Sequence, residues 1–322
     1  MTQPSMDARW QPPSLGLRAG GRLLTFERPL IMGVVNVTPN SFSQGHTTDV
    51  AAAVAHGLAL VRAGADILDI GGEATNLRAA PVTAEEELAR VLPVIERLMA
   101  RCDAVLSIDT TKAAVARAAV AAGATMVNDV SGGRFDPDML GTMAELAAAG
   151  RAAYVAGHLR GQSISEVFAA EAQAQPGDWR QVVDELAAQV AALPPSLRQV
   201  TLVDPCLGFG KGAGPLNLQL LRCGRELTAA TGCPALIGPS RKRFLRQAAG
   251  LASEGAPSSA AAADAALDAA LAAAAAAAAA AALALDAATV GACLAAVAGG
   301  AAVLRVHNVA LLRPALTVYI RD

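Results

Sequence analysis

A chain of 322 residues can bury one large core, and 26 Lys and Arg against 28 Asp and Glu leave a net charge of -2. No basic field is therefore available to gather nucleic acid or an anionic membrane surface, and any anion site must be local. Five cysteines (Cys102, Cys206, Cys223, Cys233, Cys293), odd in number and without a CxxC pair, point to reduced thiols in a cytoplasmic setting rather than a disulfide framework.

The opening MTQPSMDARWQPPS has no apolar run behind a basic start, so no secretory signal is expected. Residues 1–21 read as a loose, dispensable lead-in, with a short strand expected over Arg22 to Phe26 and the folded unit over residues 22–322. Leu30 to Val37 (LIMGVVNV) is a run of strand formers that Pro39 cannot extend, so it reads as one buried strand with Asn36 at its carboxyl end. Asp49 can cap the helix that follows, whose Val54, Leu58 and Val61 keep helical spacing until Gly64. Asp66 to Ile70 is the second strand, and Thr83 with Glu86 forms a capping box for the next helix. Further strands are expected at Ala104 to Asp109, Met126 to Asp129, Ala153 to Ala156, Val200 to Val203, Ala235 to Gly238 and Ala302 to Val306, each ending in polar residues. Eight strand-helix units with no hairpin signal call for an α/β fold, a (β/α)8 TIM barrel.

One segment breaks the pattern. From about residue 255 to 288 the composition collapses towards alanine, with an unbroken run from Ala272 to Ala282. Alanine favours helix but brings little apolar volume, so the segment reads as a low-complexity insertion outside the barrel. A membrane span is disfavoured because alanine is nearly neutral on transfer and the flanks lack aromatic or basic anchors.

In a parallel barrel, the strand ends converge on one mouth, where ligands bind. Collected in order they are Asn36, Asp69, Asp109, Asn128, Asp204, Lys242, Arg305 and His307. Carboxylates and amides suit a flat nitrogen heterocycle presenting N–H donors. Ser240, Arg241, Lys242, Arg305 and His307 form a cationic side suited to phosphate. Each residue also has an ordinary structural reading: Asp109 followed by Thr110 could be a helix cap, His56 reads as a core histidine, His158 reads equally either way, and Arg241 could pack beneath the site.

The motifs MGVVNVTPNSFS, DILDIGGEAT, LSIDTTK, VNDVSGG, LVDPCLGFGK, IGPSRK and LRVHNV, in this order from Leu30 to Val309, resemble the dihydropteroate synthase family, the sulfonamide targets of folate biosynthesis. The resemblance implies a transferase that joins 6-hydroxymethyl-7,8-dihydropterin diphosphate to p-aminobenzoate with loss of pyrophosphate. It implies that Asp69, Asp109, Asn128, Asp204 and Lys242 line the pterin pocket, that Asn36 holds Mg2+ and pyrophosphate, and that Arg305 and His307 bind the diphosphate. Lys242, Asp109, Asp204 and Arg305 are then the expected catalytic residues, Phe42, Pro39, Thr75 and Ser240 belong to the p-aminobenzoate site, and a homodimer is the expected assembly.

Departures are confined to a few positions. Where the family's first loop reads DSFSDG this chain has Asn40 and Gln44, and where its second reads STRPG the chain has Ala74, Thr75, Asn76, Leu77 and Arg78. Cys206 replaces a glycine and Asn308 an aspartate. Two readings follow: an active synthase in which Arg78 stands in for Asn76, or a pterin-binding paralogue with lost or altered chemistry towards the second substrate.

Overall fold

The computed structural model describes residues 16–38, 49–74, 81–173, 177–212, 214–251 and 264–321. Its strands are β1 (Leu17–Ala19), β2 (Arg22–Leu24), β3 (Leu30–Asn36), β4 (Ile67–Gly71), β5 (Val105–Asp109), β6 (Met126–Asp129), β7 (Ala153–Gly157), β8 (Thr201–Asp204), β9 (Leu236–Ile237) and β10 (Val303–Val306). The last eight form one parallel sheet in the order β8-β7-β6-β5-β4-β3-β10-β9. A bridge from Val203 to Ala235 joins β8 to β9 and closes it. The expected (β/α)8 barrel is therefore the observed fold.

The strands are buried on both faces, as a parallel sheet wrapped in helices requires. Outward residues such as Ile31, Val35, Leu68 and Ile70 pack under the helices. Inward residues such as Met32, Ile67, Val105, Met126 and Val155 fill the barrel. Local signals hold where they are strongest: Asp49 accepts from Ala51 N and opens the helix Val50–Arg62, and Thr83 and Glu86 form a reciprocal capping box at the start of Ala84–Met99.

Two boundaries are corrected. The lead-in was expected to reach Gly21, and no hairpin was expected. Instead β1 and β2 pair antiparallel across Gly20 and Gly21, and Leu17, Ala19, Leu24 and Phe26 join the inward cluster as the barrel's floor. The signal was present, since Gly-Gly between two short apolar runs is a two-residue hairpin turn. Gly20 sits at φ +60, and a Cβ there would lie 2.7 Å from Thr125 Cγ2.

The alanine segment is also not wholly outside the barrel. Asp264–Ala298 is a single helix, and it provides the crossover from β9 to β10. Its described face is mostly exposed over residues 276–284. From Leu285 on, Leu285, Ala292, Cys293, Ala296 and Val297 are buried in the core. Among the described residues Ala276–Ala298 is the one helix long and apolar enough to cross a membrane; its second half is core, because there the helix packs against the barrel.

Candidate active site at the carboxyl ends of the strands

Strand alternation aims Asp69 inward, between the outward Leu68 and Ile70, and its side chain is fully buried. Arg305, from β10 across the barrel, donates from Nε to Asp69 Oδ2 at 2.6 Å and from Nη2 to Asp109 Oδ2 at 2.6 Å. Asn128 Nδ2 donates to the same Asp69 Oδ2 at 2.9 Å. One guanidinium is thus shared by two carboxylates. Burial first, then the neighbouring carboxylates, push Asp109 up to about 7 against the pull of Arg305. Asp69 Oδ1 is buried and has no partner among the described residues, which leaves one acceptor of the carboxylate unused.

Arg305, expected on the anion side of the mouth, reaches the carboxylates of the heterocycle side. It lies on them because the fully buried Asp69 and the partly buried Asp109 converge within its reach and an unpaired buried charge is costly. The described cationic end consists of Lys242, Ser240 and His307. Ser240 Oγ and His307 Nδ1 lie 3.0 Å apart, and His307 N donates to Ser240 Oγ at 3.2 Å. Lys242 Nζ lies over the Phe209 ring, 4.0 Å from its centroid. Burial lowers its ammonium to about 8, opposed by the charge of Asp204. Asp204 is raised by burial, with Lys242 opposing, and it accepts from Cys206 N at 2.7 Å. Cys206 is held at φ 52, the left-handed region in which a glycine would be unstrained.

Asn36, at the end of β3, lies beside Asp109 across a gap kept open by Gly71. A Cβ at Gly71 would sit 3.5 Å from Asp109 Cβ, 3.7 Å from Asp109 Oδ2 and 3.8 Å from Asn36 Oδ1. Phe42 and Thr75, with Pro39, Asn40, Gln44, Asn76, Leu77 and Arg78, lie outside the described residues. All the other expected site residues come together at the one mouth.

The ambiguous residues resolve as structural. His158 Nε2 is 2.6 Å from Glu185 Oε2, and burial lowers its pKa to about 3, so it is a neutral core residue. His56 Nε2 meets Val34 O at 3.3 Å and is lowered by burial. Arg241 pairs outward with Asp286.

Several supporting groups escaped sequence reading. Asp129 accepts from Ser131 N and Oγ, Gly133 N and Tyr154 Oη, building the loop that follows Asn128; the spacing Asp-x-Ser is an Asx-turn signal that could have found it. Lys211 Nζ donates to His158 O and Phe209 O at 3.0 and 2.9 Å, holding the ring beneath Lys242. Lys112 bridges Glu73 and Glu87 at 2.6 and 2.7 Å, and Glu73 accepts from Val82 N. That network ties both stems of the second loop to β5, and only the fold brings its members together.

The model of the family described as "Pterin binding enzyme" matches residues 32–307. A dihydropteroate synthase of Mycobacterium leprae is 44% identical over 226 residues, 67% of this chain and 74% of that protein. The structure of Xanthomonas albilineans dihydropteroate synthase with 4-aminobenzoic acid is 39% identical, with TM-score 0.73, covering 96% of this chain and 97% of the other. Burkholderia cenocepacia dihydropteroate synthase complexed with 7,8-dihydropteroate is 34% identical, with TM-score 0.74 and 96% of each chain covered. Motifs, barrel and strand-end constellation agree with these matches, and the chain belongs to the pterin binding enzyme family, among its dihydropteroate synthases.

Proposed function

We propose that the chain condenses 6-hydroxymethyl-7,8-dihydropterin diphosphate with p-aminobenzoate, giving 7,8-dihydropteroate and pyrophosphate. The observation that carries this reading is Asp69: a fully buried carboxylate, anchored through one oxygen by Arg305 and Asn128, with the other oxygen unpartnered among the described residues. That oxygen suits an N–H donor of a flat heterocycle held in the mouth. Asp109 and Asp204 add negative charge around the same ring, which favours the cation that develops as the pterin C–O bond breaks. Lys242 and the Ser240–His307 pair suit the diphosphate, which leaves with the electron pair of that bond. The arylamine then forms the C–N bond and loses a proton, and no activated side-chain nucleophile is needed.

Mg2+ fits this arrangement as a shared ion rather than a caged one. No group of three or more His, Cys, Asp or Glu able to hold a metal occurs among the described residues, and a magnesium ion commonly takes few protein oxygens with the rest from phosphate and water. Asn36 would hold it together with the diphosphate, beside the gap that Gly71 keeps open to Asp109. When bound, the ion supplies charge neutralisation of the leaving group. A cytoplasmic homodimer belongs to the same reading, supported by the family resemblance and by five free thiols.

The test is calorimetric titration with the pterin diphosphate, followed by pyrophosphate release with and without p-aminobenzoate. Release that depends on p-aminobenzoate and yields dihydropteroate is expected. Pterin binding without condensation would instead favour the paralogue with altered second-substrate chemistry, to which Asn40, Gln44 and Asn76 point.

A further inference from the structure

The residues that follow Ser240 and His307 meet on the outer side of the barrel, through a carboxylate that belongs to neither loop. Arg241 Nε and Nη2 donate to Asp286 Oδ1 and Oδ2 at 3.0 and 3.1 Å, and Asn308 Nδ2 donates to the same Oδ2 at 3.0 Å. Asp286 stands on the crossover helix Asp264–Ala298 and is 5% exposed. The loops after β9 and β10 are therefore joined twice, in successive residues. Ser240 meets His307 directly inside the mouth, and Arg241 meets Asn308 through Asp286 outside it.

Three features show that the outer link does more than fill space. Arg241 holds φ 58, a conformation that a non-glycine residue keeps only where its surroundings over-determine it, and the bidentate pair is what fixes its side chain. Asn308 uses both ends of its amide, since Oδ1 accepts from Leu311 N at 3.1 Å and caps the helix Val309–Ile320. A carboxylate at 308 could not donate to Asp286 and would set two negative charges against one guanidinium. Aspartate is what the family pattern has at this position; here the loop carries an amide, and the carboxylate of this link stands on the helix. Finally, Arg241 and Asp286 wall a cavity of about 500 Å³ that Asn36 and His307 also border. Packing alone does not hold the loops on that side, and a broken pair has room to move.

We propose that Asp286 is a positioning residue: by holding Arg241 and Asn308 it sets where Ser240, Lys242 and His307 stand around the diphosphate of the substrate. This rests on the pterin diphosphate reading above. It also gives a functional anchor to the end of a segment that composition alone presents as padding.

The experiment is steady-state pyrophosphate release, with thermal midpoints on the same preparations. Parent turnover with both substrates tests the underlying reading by itself. With an active parent, Asp286→Asn should raise KM for the pterin diphosphate roughly tenfold, the loss expected of one charge-assisted contact. A residue that merely stabilised the fold would lower the active fraction and leave KM unmoved. The swap of Asp286→Asn with Asn308→Asp returns one carboxylate to the pair and should recover most of the lost affinity. Arg241→Gln breaks the same pair from the loop side and should give the same shift even where Asp286→Asn is too unstable to assay. If the parent releases no pyrophosphate, the same variants are compared by titration with inorganic pyrophosphate, whose affinity should fall to a similar degree. Unchanged KM or affinity in both single variants, or a swap no better than Asp286→Asn, would overturn the proposal.

Discussion

At the scale of single residues the mouth is governed by how burial moves charge. Asp109 is pushed up to about 7 and Lys242 down to about 8. The acid is ionised above its value and the ammonium below its own, so kcat/KM for the pterin diphosphate should be bell-shaped, with its maximum between the two. Lys242→Arg, which keeps its charge at every pH of interest, should flatten the alkaline limb when rates are normalised to each enzyme's maximum. Lys242→Ala should weaken pterin diphosphate binding by roughly 1.5 to 3 kcal/mol in calorimetry; unchanged affinity would remove Lys242 from the site. Asp69→Asn removes a like charge beside Asp109 and leaves Arg305 to that carboxylate alone. The acidic limb should then move to lower pH, while pterin affinity falls by about 2 kcal/mol with the loss of the charged acceptor. An acidic limb that stays in place would show that Asp109 does not set it.

At the scale of elements two features decide what can be cut or broken. Glu87 is fully buried within the helix Ala84–Met99, and Lys112 is its cationic partner at 2.7 Å. Burial raises the carboxyl's pKa against the opposing pull of Lys112. Lys112→Met leaves that carboxylate without its cation and should destabilise the protein by about 3 kcal/mol in urea unfolding. Adding Glu87→Gln to it should recover part of the loss, because the uncompensated charge is then gone. The alanine helix divides at about Leu283: residues 276–281 are exposed and 282 is half-buried, while Leu285 and Asp286 are buried. Removing the seven residues 276–282 turns the helix by only about 20° from register. The shortened chain should unfold at the parent's urea midpoint, whereas Leu285→Asp, which places a charge in the core, should not yield folded protein.

At the scale of the whole molecule the barrel is closed at one end and reactive at the other. The floor is the β1–β2 hairpin, with Leu17 1% and Leu24 6% exposed beneath the inward side chains of the strands. Deleting residues 1–24 uncovers that floor and should cost about 4 kcal/mol, at roughly 2 kcal/mol for each buried leucine, read by chemical denaturation. Deleting residues 1–15 should leave stability unchanged. Equal stability of the two truncations would show that the hairpin is not part of the core. Sealing the floor leaves the polar strand ends as the open end of the barrel interior, which is why a heterocycle would meet Asp69, Asp109 and Asn128 from that side.

Much of this was legible in the residues themselves. Each strand of the barrel was marked by a short apolar run ending in polar side chains, and Asp49 and the Thr83–Glu86 box marked their helices, because burial and capping are decided by near neighbours in the chain. Asp69, Asn128 and Asp204 could be placed at one mouth from order alone, since parallel strands in a barrel leave no other edge for them. Pairings between distant residues could not be read in that way. That Arg305 reaches Asp69 and Asp109, that Lys112 reaches Glu73 and Glu87, and that Asp286 reaches Arg241 and Asn308 all depend on distances set by closure of the sheet. The alanine segment shows the limit most plainly. Its composition determined that it is helical, but its burial was decided by which turns the barrel happened to face, a property of the packed molecule and not of the segment.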